Sequence, residues 1–344
     1  MSLEAEIREQ PESLARLLDR QSEAVRAMGR AFRGRPLEFV LLAARGTSDN
    51  AGLYAEYLWG AINSMPVALA APSLFTSYAR PPRLEHALVV AVSQSGQSPD
   101  LLAVLEEARR QGAPTLAIVN DADSPLARAA DQVLDICAGP EEAVAATKSY
   151  TAQLMAIAML STAVADDDQR WRELEQVPGL VAQALALDAQ VAERTERYRF
   201  MEHCVVLGRG FNLSTANEWA LKLKELAYVI AEPFSSADFQ HGPVAMLERG
   251  FPVLAVVPDG AVFDDTRELL ARLVREKRVE LLVMSNRDEA LSLAHTPLRL
   301  PAAPEWVTPI VSIVAGQLFC YHLTRAKGFD TESPRGLRKV TLTR

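Results

Sequence analysis

The chain has 344 residues, 49% hydrophobic and 23% charged, so it is long enough for two domains with separate cores, and its composition argues against disorder. The formal net charge of −8 excludes a global basic field that would recruit nucleic acid or acidic membranes. Three widely separated cysteines, without a CxxC pattern or a Cys/His cluster, argue against a disulfide framework and indicate no metal site.

The chain begins with an acidic, amphipathic segment over residues 1–30. This segment lacks the apolar core of a signal peptide, and the longest apolar run, within residues 151–164, is too short to cross a bilayer. We therefore expect a helical N-terminus and a cytoplasmic location.

Apolar runs rich in β-branched residues recur through the first half of the chain, and helical patterns separate them. The runs cover residues 37–44, 66–70, 87–93, 114–120 and 132–137. Strands that alternate with helices predict right-handed crossovers and a parallel sheet with helices on both faces. The predicted fold class is therefore α/β.

The second half of the chain repeats this plan at a near-constant offset. Arg209 and Gly210 stand 164 residues after Arg45 and Gly46, and Asn286 stands 166 residues after Asn120. The pattern predicts a tandem duplication of one α/β unit. The expected organisation is a helical segment (1–30), a first domain (31–164), linker helices (165–198), a second domain (199–326) and an extended C-terminal strap (327–344).

Small polar residues follow two predicted strands of the first domain. "ARGTSDNAG" (44–52) and "SQSGQSPD" (93–100) place hydroxyl groups where unpaired N–H groups at helix N-termini favour an anion. The alternative is that one serine caps each helix while the other hydroxyls are solvated. Two such loops at equivalent strand ends favour a phosphate-bearing small molecule. The matching second-domain loop, residues 257–262, has no serine or threonine.

Residues 217–250 carry a second group of polar side chains. On a helix, Lys222 and Glu225 share a face, which is typical of a surface ion pair, yet they lie among apolar residues that must pack. His241 stands directly before Gly242 and Pro243, either beside a helix start or as a proton-transfer group.

Six stretches, in this order, resemble the double SIS (sugar isomerase) family, in particular the isomerase domain of glucosamine-6-phosphate synthases. They are RGTSDNAG, SQSGQSPD, AATKSYTAQL, ALKLKELAY, QHGPVAML and PRGLRKVTL. The resemblance runs from about residue 6 to the C-terminus. It implies two tandem SIS domains, each with a five-stranded parallel sheet.

The resemblance also implies roles for individual residues. Glu225 would shuttle a proton between sugar C1 and C2, and Lys222 would assist proton movement at the oxygen. His241 would assist ring opening from the neighbouring subunit of a homodimer, and Lys339 would form an imine with the open-chain ketose. The implied phosphate- and sugar-binding residues are Thr47, Ser48, Ser93, Gln94, Ser95, Ser98 and Val144.

The chain departs from the family pattern at several positions. Ala146 replaces a serine, Arg338 replaces a small residue beside Lys339, and Gln240 replaces a lysine before His241. The chain also starts at Met1 without a nucleophilic cysteine or a glutaminase domain, so glutamine hydrolysis is not expected.

The expected reaction is therefore isomerising deamination of an amino-sugar phosphate, such as glucosamine 6-phosphate, to fructose 6-phosphate and ammonia. Deglycation of a fructosamine 6-phosphate and plain aldose–ketose isomerisation are the alternatives among enzymes, and a phosphosugar sensor is the non-enzymatic alternative. Neither a metal nor an organic cofactor is implied, and neither nucleic acid nor membrane is an expected partner.

Overall fold

Ten strands form two five-stranded sheets in the computed structural model, which describes residues 2–339. Every strand pairing within both sheets is parallel. The first sheet contains β1 (Phe39–Ala43), β2 (Val67–Leu69), β3 (Ala87–Ser93), β4 (Thr115–Val119) and β5 (Gln132–Asp135). The second contains β6 (His203–Gly208), β7 (Ile230–Ser235), β8 (Pro252–Val256), β9 (Glu280–Ser285) and β10 (Thr296–Arg299).

Helices connect and flank these strands. Those before and within the first sheet are α1 (Leu3–Arg8), α2 (Gln10–Arg33), α3 (Thr47–Asn63), α4 (Pro99–Arg110), α5 (Pro125–Ala129) and α6 (Lys148–Ala165). The remaining helices are α7 (Asp168–Leu185), α8 (Asp188–Thr195), α9 (Leu213–Ala227), α10 (Phe263–Arg272), α11 (Asp288–Leu291) and α12 (Thr308–Ala326). Residues 327–339 contain turns and neither a helix nor a strand.

The two sheets have the same strand order, β2-β1-β3-β4-β5 in the first and β7-β6-β8-β9-β10 in the second. This identity confirms the α/β fold class and the duplication that the sequence predicts. Strands β7 and β10 do not stand out in the sequence because both lie at a sheet edge and lack a continuous apolar run. Each contains a proline, Pro233 or Pro297, which an edge strand tolerates since it pairs on one side only.

Each core is formed by strands that are buried on both faces and by one central helix. All seven residues of β3 are buried, as expected for a parallel strand covered by helices. Helices α6 and α12 are apolar around nearly their whole circumference, because α6 packs against α2 and α3 and α12 packs against α8 and α9.

One stretch, Glu305–Ala326, is long and apolar enough to cross a membrane by composition. However, 94% of its apolar window is buried inside the protein. This burial is what the central helix of a domain shows.

The chain divides into two compact units that are discontinuous in sequence. The first-sheet unit comprises residues 9–141 and 148–176 together with Arg338 and Lys339, and the second-sheet unit comprises residues 2–8, 142–147 and 177–337. Lys339 therefore belongs to the first-sheet unit although it follows the second sheet in the chain. Patterns among residues that are close together in the sequence do not reveal that a C-terminal residue belongs to the unit of the first sheet.

Candidate active site

The two serine-rich loops follow β1 and β3, which are adjacent strands of the first sheet. In the order β2-β1-β3-β4-β5, these neighbours form the topological switch point, where ligands bind in open α/β sheets. Helix α3 begins at Thr47 and α4 begins at Pro99, directly after these loops. Both helix N-termini therefore lie at the edge of the sheet where an anion is favoured.

Ser48 lies buried in the first turn of α3. Its Oγ accepts a hydrogen bond of 3.0 Å from Nε2 of Gln153, a buried residue of α6. Because the oxygen is used as an acceptor, the hydroxyl hydrogen remains available to a ligand oxygen. Gln153 is a residue to which the sequence analysis gives no role, although it is a single amide within the apolar face of a helix.

The hydroxyls of the second loop are arranged in the same way. Ser93 Oγ accepts from the N–H of Gly96 at 3.1 Å, and Ser95 Oγ accepts from the N–H of Gln97 at 3.3 Å. Ser98 occupies the N-cap position of α4, but its side chain makes no capping hydrogen bond. Capping therefore does not account for Ser98, and three hydroxyls keep a hydrogen to donate.

The backbone of this loop depends on a glycine. Gly96 has φ +62°, and a Cβ added there would lie 2.2 Å from Oγ of Ser124. Ser124 in turn caps α5 by accepting from the N–H of Ala127. A side chain at position 96 would thus displace both the loop and the start of α5.

An ion pair joins the two loops. Nε and Nη2 of Arg45, after β1, both lie 2.8 Å from Oδ2 of Asp100 in the first turn of α4. The Asp100 side chain is buried while that of Arg45 is half exposed. Close by in sequence, burial raises the pKa of Asp49, against the lowering effect of Arg45. The ion pair thus links the two loops, and no local sequence pattern points to it because its partners are 55 residues apart.

A buried charge cluster lies on α9 in the second-sheet unit. Nζ of Lys222 is 3.3 Å from Oε1 of Glu218 and 2.5 Å from Oε2 of Glu225. The Lys222 and Glu218 side chains are only 1% and 0% exposed, so Lys222 pairs with these carboxylates inside the packed protein and not at its surface. Burial alone would lower the pKa of Lys222, but the two carboxylates overcome this effect and raise it above its ordinary value. Lys222 is therefore a protonated hydrogen-bond donor.

Glu225 differs from Glu218 in its accessibility. Its side chain is 23% exposed, and it lies in the last turn of α9, which ends at Ala227 and is followed by Tyr228 in the left-handed conformation. One side of the carboxylate is held by the Lys222 ammonium while the rest can reach a ligand. This geometry suits a group that removes and returns a proton.

His241 lies on an exposed turn of the second-sheet unit, after a short 3-10 helix over Asp238–Gln240. Its backbone N–H donates to the carbonyl of Asp238 at 2.9 Å. The neighbouring Gln240 is tied down, because its amide group donates to the carbonyl of Ser236 and accepts from Arg272. Gln240, which replaces the lysine of the family pattern, therefore stabilises this turn.

Two further predicted residues lie on irregular segments. Val144 is half-buried in segment 142–147, whose backbone N–H groups at Glu142 and Ala143 donate to Oε1 of the buried Glu6. Nζ of Lys339 lies 2.8 Å from Oε2 of Glu141, a fully buried carboxylate of the first-sheet unit. No local sequence pattern points to Glu141, because its partner Lys339 is 198 residues further along the chain.

The predicted residues thus fall into two groups, and the structure places each group within one unit. The first-sheet unit holds Thr47, Ser48, Ser93, Gln94, Ser95, Ser98 and Lys339. The second-sheet unit holds Val144, Lys222, Glu225 and His241. Within residues 2–339, no three His, Cys, Asp or Glu side chains gather as metal ligands would.

The second sheet has a matching cleft at its own switch point, but the protein fills it. Oε2 of Glu305 accepts from the N–H of Ala261 at 3.0 Å, and a Cβ at Gly260 would lie 2.1 Å from Cδ of Glu305. The remaining cavity of about 10 Å³ has room for no more than one water molecule. A carboxylate of the chain therefore occupies the position where the first sheet offers hydroxyls, in agreement with the loss of serines there.

The protein-family model for the SIS domain matches this chain twice, over residues 39–163 and 201–325. The chain belongs to the SIS-domain family. This chain is 34% identical to the isomerizing glutamine–fructose-6-phosphate aminotransferase of Thermococcus kodakarensis. The match covers 97% of this chain and 56% of that protein. The chain thus spans about half the length of the curated relatives it matches.

Several solved structures also resemble this chain. A candidate phosphosugar isomerase from Silicibacter pomeroyi is 34% identical with a TM-score of 0.88, over 96% of this chain and 100% of that one. The C-terminal domain of glucosamine-fructose-6-phosphate aminotransferase from Francisella tularensis is 29% identical with a TM-score of 0.86, over 96% and 98% of the chains. Glucosamine-6-phosphate deaminase from Thermotoga maritima shares the fold, with a TM-score of 0.82 at 20% identity over the full length of both chains.

Proposed function

We propose that this SIS protein is a phosphosugar isomerase that deaminates an amino-sugar phosphate, converting glucosamine 6-phosphate and water to fructose 6-phosphate and ammonia. The observation that carries the proposal is the buried ammonium of Lys222 between Glu218 and the accessible Glu225. A phosphosugar sensor has no need for a protonated lysine that is buried beside an accessible carboxylate.

The chemistry needs one base that faces two carbons. Glu225 removes the proton from C2 of the open-chain amino sugar and returns it to C1. The Lys222 ammonium gives a proton to the C1 oxygen as negative charge develops there, and it regains one when the iminium is hydrolysed. C2 then becomes an iminium, which water hydrolyses to the ketone with release of ammonia. His241 assists opening of the sugar ring.

The phosphate is held by the first-sheet loops. Ser48, Ser95 and Ser98 donate their hydroxyl hydrogens to its oxygens, and the N-termini of α3 and α4 favour its charge. In this proposal, the residues named above supply phosphate binding, ring opening and proton transfer for deamination. The similarity to isomerizing glutamine–fructose-6-phosphate aminotransferases supports the substrate class, since that activity combines fructose 6-phosphate with isomerisation.

The test is ammonia release by the purified chain, in separate assays with glucosamine 6-phosphate, galactosamine 6-phosphate and a fructosamine 6-phosphate. Ammonia from a hexosamine phosphate is the expected result, and the comparison shows which hexose is accepted. Free amine without ammonia, from the fructosamine alone, would make the protein a deglycase. Binding without any turnover would contradict deamination and favour a plain isomerase or a sensor.

Replacing Ser95 and Ser98 together by alanine is expected to raise KM about tenfold or more, because two hydrogen bonds to a charged group are lost. The value of kcat should change little, since the phosphate does not react. Steady-state kinetics measure both constants. Ser77→Ala, at an exposed serine of the same unit, is the matched control. An unchanged KM would show that the hydroxyls do not contact the phosphate.

The homodimer with His241 donated across the interface stays a prediction, as does the cytoplasmic location. Mixing Glu225→Gln with His241→Ala, each inactive alone, tests the shared site. If His241 serves the neighbouring subunit, mixed dimers contain one intact site, and activity should return to about a quarter of the wild-type value. If each subunit uses its own His241, the mixture stays inactive.

A further inference from the structure

We propose that Glu141 holds Lys339 in place and exchanges protons with its amine during imine formation. The inference rests on the proposed function together with the imine at Lys339 that the family resemblance implies, and it adds a partner that the resemblance does not supply. Its basis is the 2.8 Å contact between Nζ of Lys339 and Oε2 of Glu141.

Glu141 is a rigid anchor. Its side chain is fully buried, and the first turn of α6 holds both of its oxygens. Oε1 accepts from the backbone N–H of Ser149 at 3.0 Å, and Oε2 accepts from the hydroxyl of Ser149 at 2.7 Å. A carboxylate held by three donors cannot rotate freely, so it defines where the amine of Lys339 lies.

Lys339 is bound differently, because it lies on a segment without helix or strand. Its side chain keeps 23% of its surface exposed, whereas the Glu141 side chain that contacts its amine is fully buried. A long side chain on an irregular segment has many rotamers, and the ion pair selects among them. The ion pair with Glu141 therefore fixes the position of the Lys339 side chain, which no helix or strand fixes.

The same contact provides a path for the proton that imine formation requires. An ammonium cannot attack a carbonyl carbon, so one proton first passes from Lys339 to Oε2 of Glu141. The amine then adds to C2 of the ketose, and a second N–H hydrogen moves to the former carbonyl oxygen. Glu141 returns its proton to that oxygen, water leaves, and the iminium nitrogen keeps the third hydrogen.

The test is reductive trapping with fructose 6-phosphate and cyanoborohydride, followed by mass spectrometry of the peptide that contains Lys339. We expect wild-type protein to be labelled at Lys339 and Glu141→Gln to be labelled at least about tenfold more slowly, since proton transfer by a positioned group accelerates such steps by about 10² or more. Glu141→Asp keeps the charge and should give an intermediate rate. Glu142→Gln, at the adjacent exposed carboxylate, is the matched control.

A small acylating reagent separates proton exchange from simple unfolding. Acylation requires only an accessible unprotonated amine. In Glu141→Gln, acylation of Lys339 should therefore rise while reductive trapping falls. Cooperative thermal unfolding of the variant would show that it is still folded. Equal trapping in wild type and both Glu141 variants would overturn the inference and leave the proposed function intact. Absence of trapping in wild type would also overturn it, whereas the ammonia assay decides the proposed function separately.

Discussion

Replacing Glu225 by glutamine should lower kcat by about a thousandfold, because a positioned general base contributes about 10² to 10⁴ to the rate. Glutamine keeps the shape of the side chain and can still accept a hydrogen bond from Lys222, but it cannot take a proton from carbon. The substrate phosphate is held by other residues, so binding of fructose 6-phosphate should persist.

Two measurements check this expectation, ammonia release for turnover and titration calorimetry for binding of fructose 6-phosphate. Glu232→Gln provides a control, since Glu232 is an exposed glutamate of β7 in the same unit. Full activity in Glu225→Gln would remove Glu225 from the reaction. Loss of both turnover and binding would show that the carboxylate acts in recognition rather than in proton transfer.

Replacing Lys222 by methionine should reduce the free energy of unfolding by about 3 to 5 kcal/mol and abolish turnover, because it removes one partner of a buried ion pair. Methionine fills a similar volume, so the cost comes mainly from charge. Glu218 is fully buried and would lose the ammonium that now lies 3.3 Å away. The added change Glu218→Gln should recover part of the lost stability without restoring turnover.

The pH dependence of this pair has a definite sign. Because the pKa of Lys222 is raised in the folded protein, its stabilisation is complete below the ordinary value of 10.5. It is lost only as the pH rises through the higher value of the folded state. Denaturant unfolding at neutral pH is therefore the suitable measurement.

Lys224→Met is the matched control for this stability experiment. Lys224 is exposed and lies two residues further along the same helix, so its replacement should change stability by no more than about 0.5 kcal/mol. If Lys222→Met is as stable as Lys224→Met, the ion pair on α9 does not exist as described.

The predictive power of the sequence differed between elements for physical reasons. Central strands such as β3 are buried on both faces and therefore read as continuous apolar runs. The edge strands β7 and β10 are only partly buried and contain proline, so they carry no such run. The serine-rich loops were found because a glycine, several hydroxyls and a helix start stand together within a few residues.

Partners that are distant in sequence were not predictable in this way. Arg45 and Asp100 are 55 residues apart, Ser48 and Gln153 are 105 apart, and Glu141 and Lys339 are 198 apart. Each pair consists of ordinary polar residues whose neighbours along the chain give no sign of the contact. The filled cleft of the second sheet is a similar case, because Glu305 reaches it from 44 residues beyond Ala261.

The sequence by itself determined the α/β class, the duplication and the places where hydroxyl groups follow strand ends, since these depend on periodicity and on residues close together in the chain. Only the tertiary structure decided which charges are buried, which carboxylate anchors Lys339 and that Glu305 fills the cleft of the second sheet. Those properties depend on contacts between distant segments, and the free energy of such a contact is set by burial and geometry rather than by local pattern.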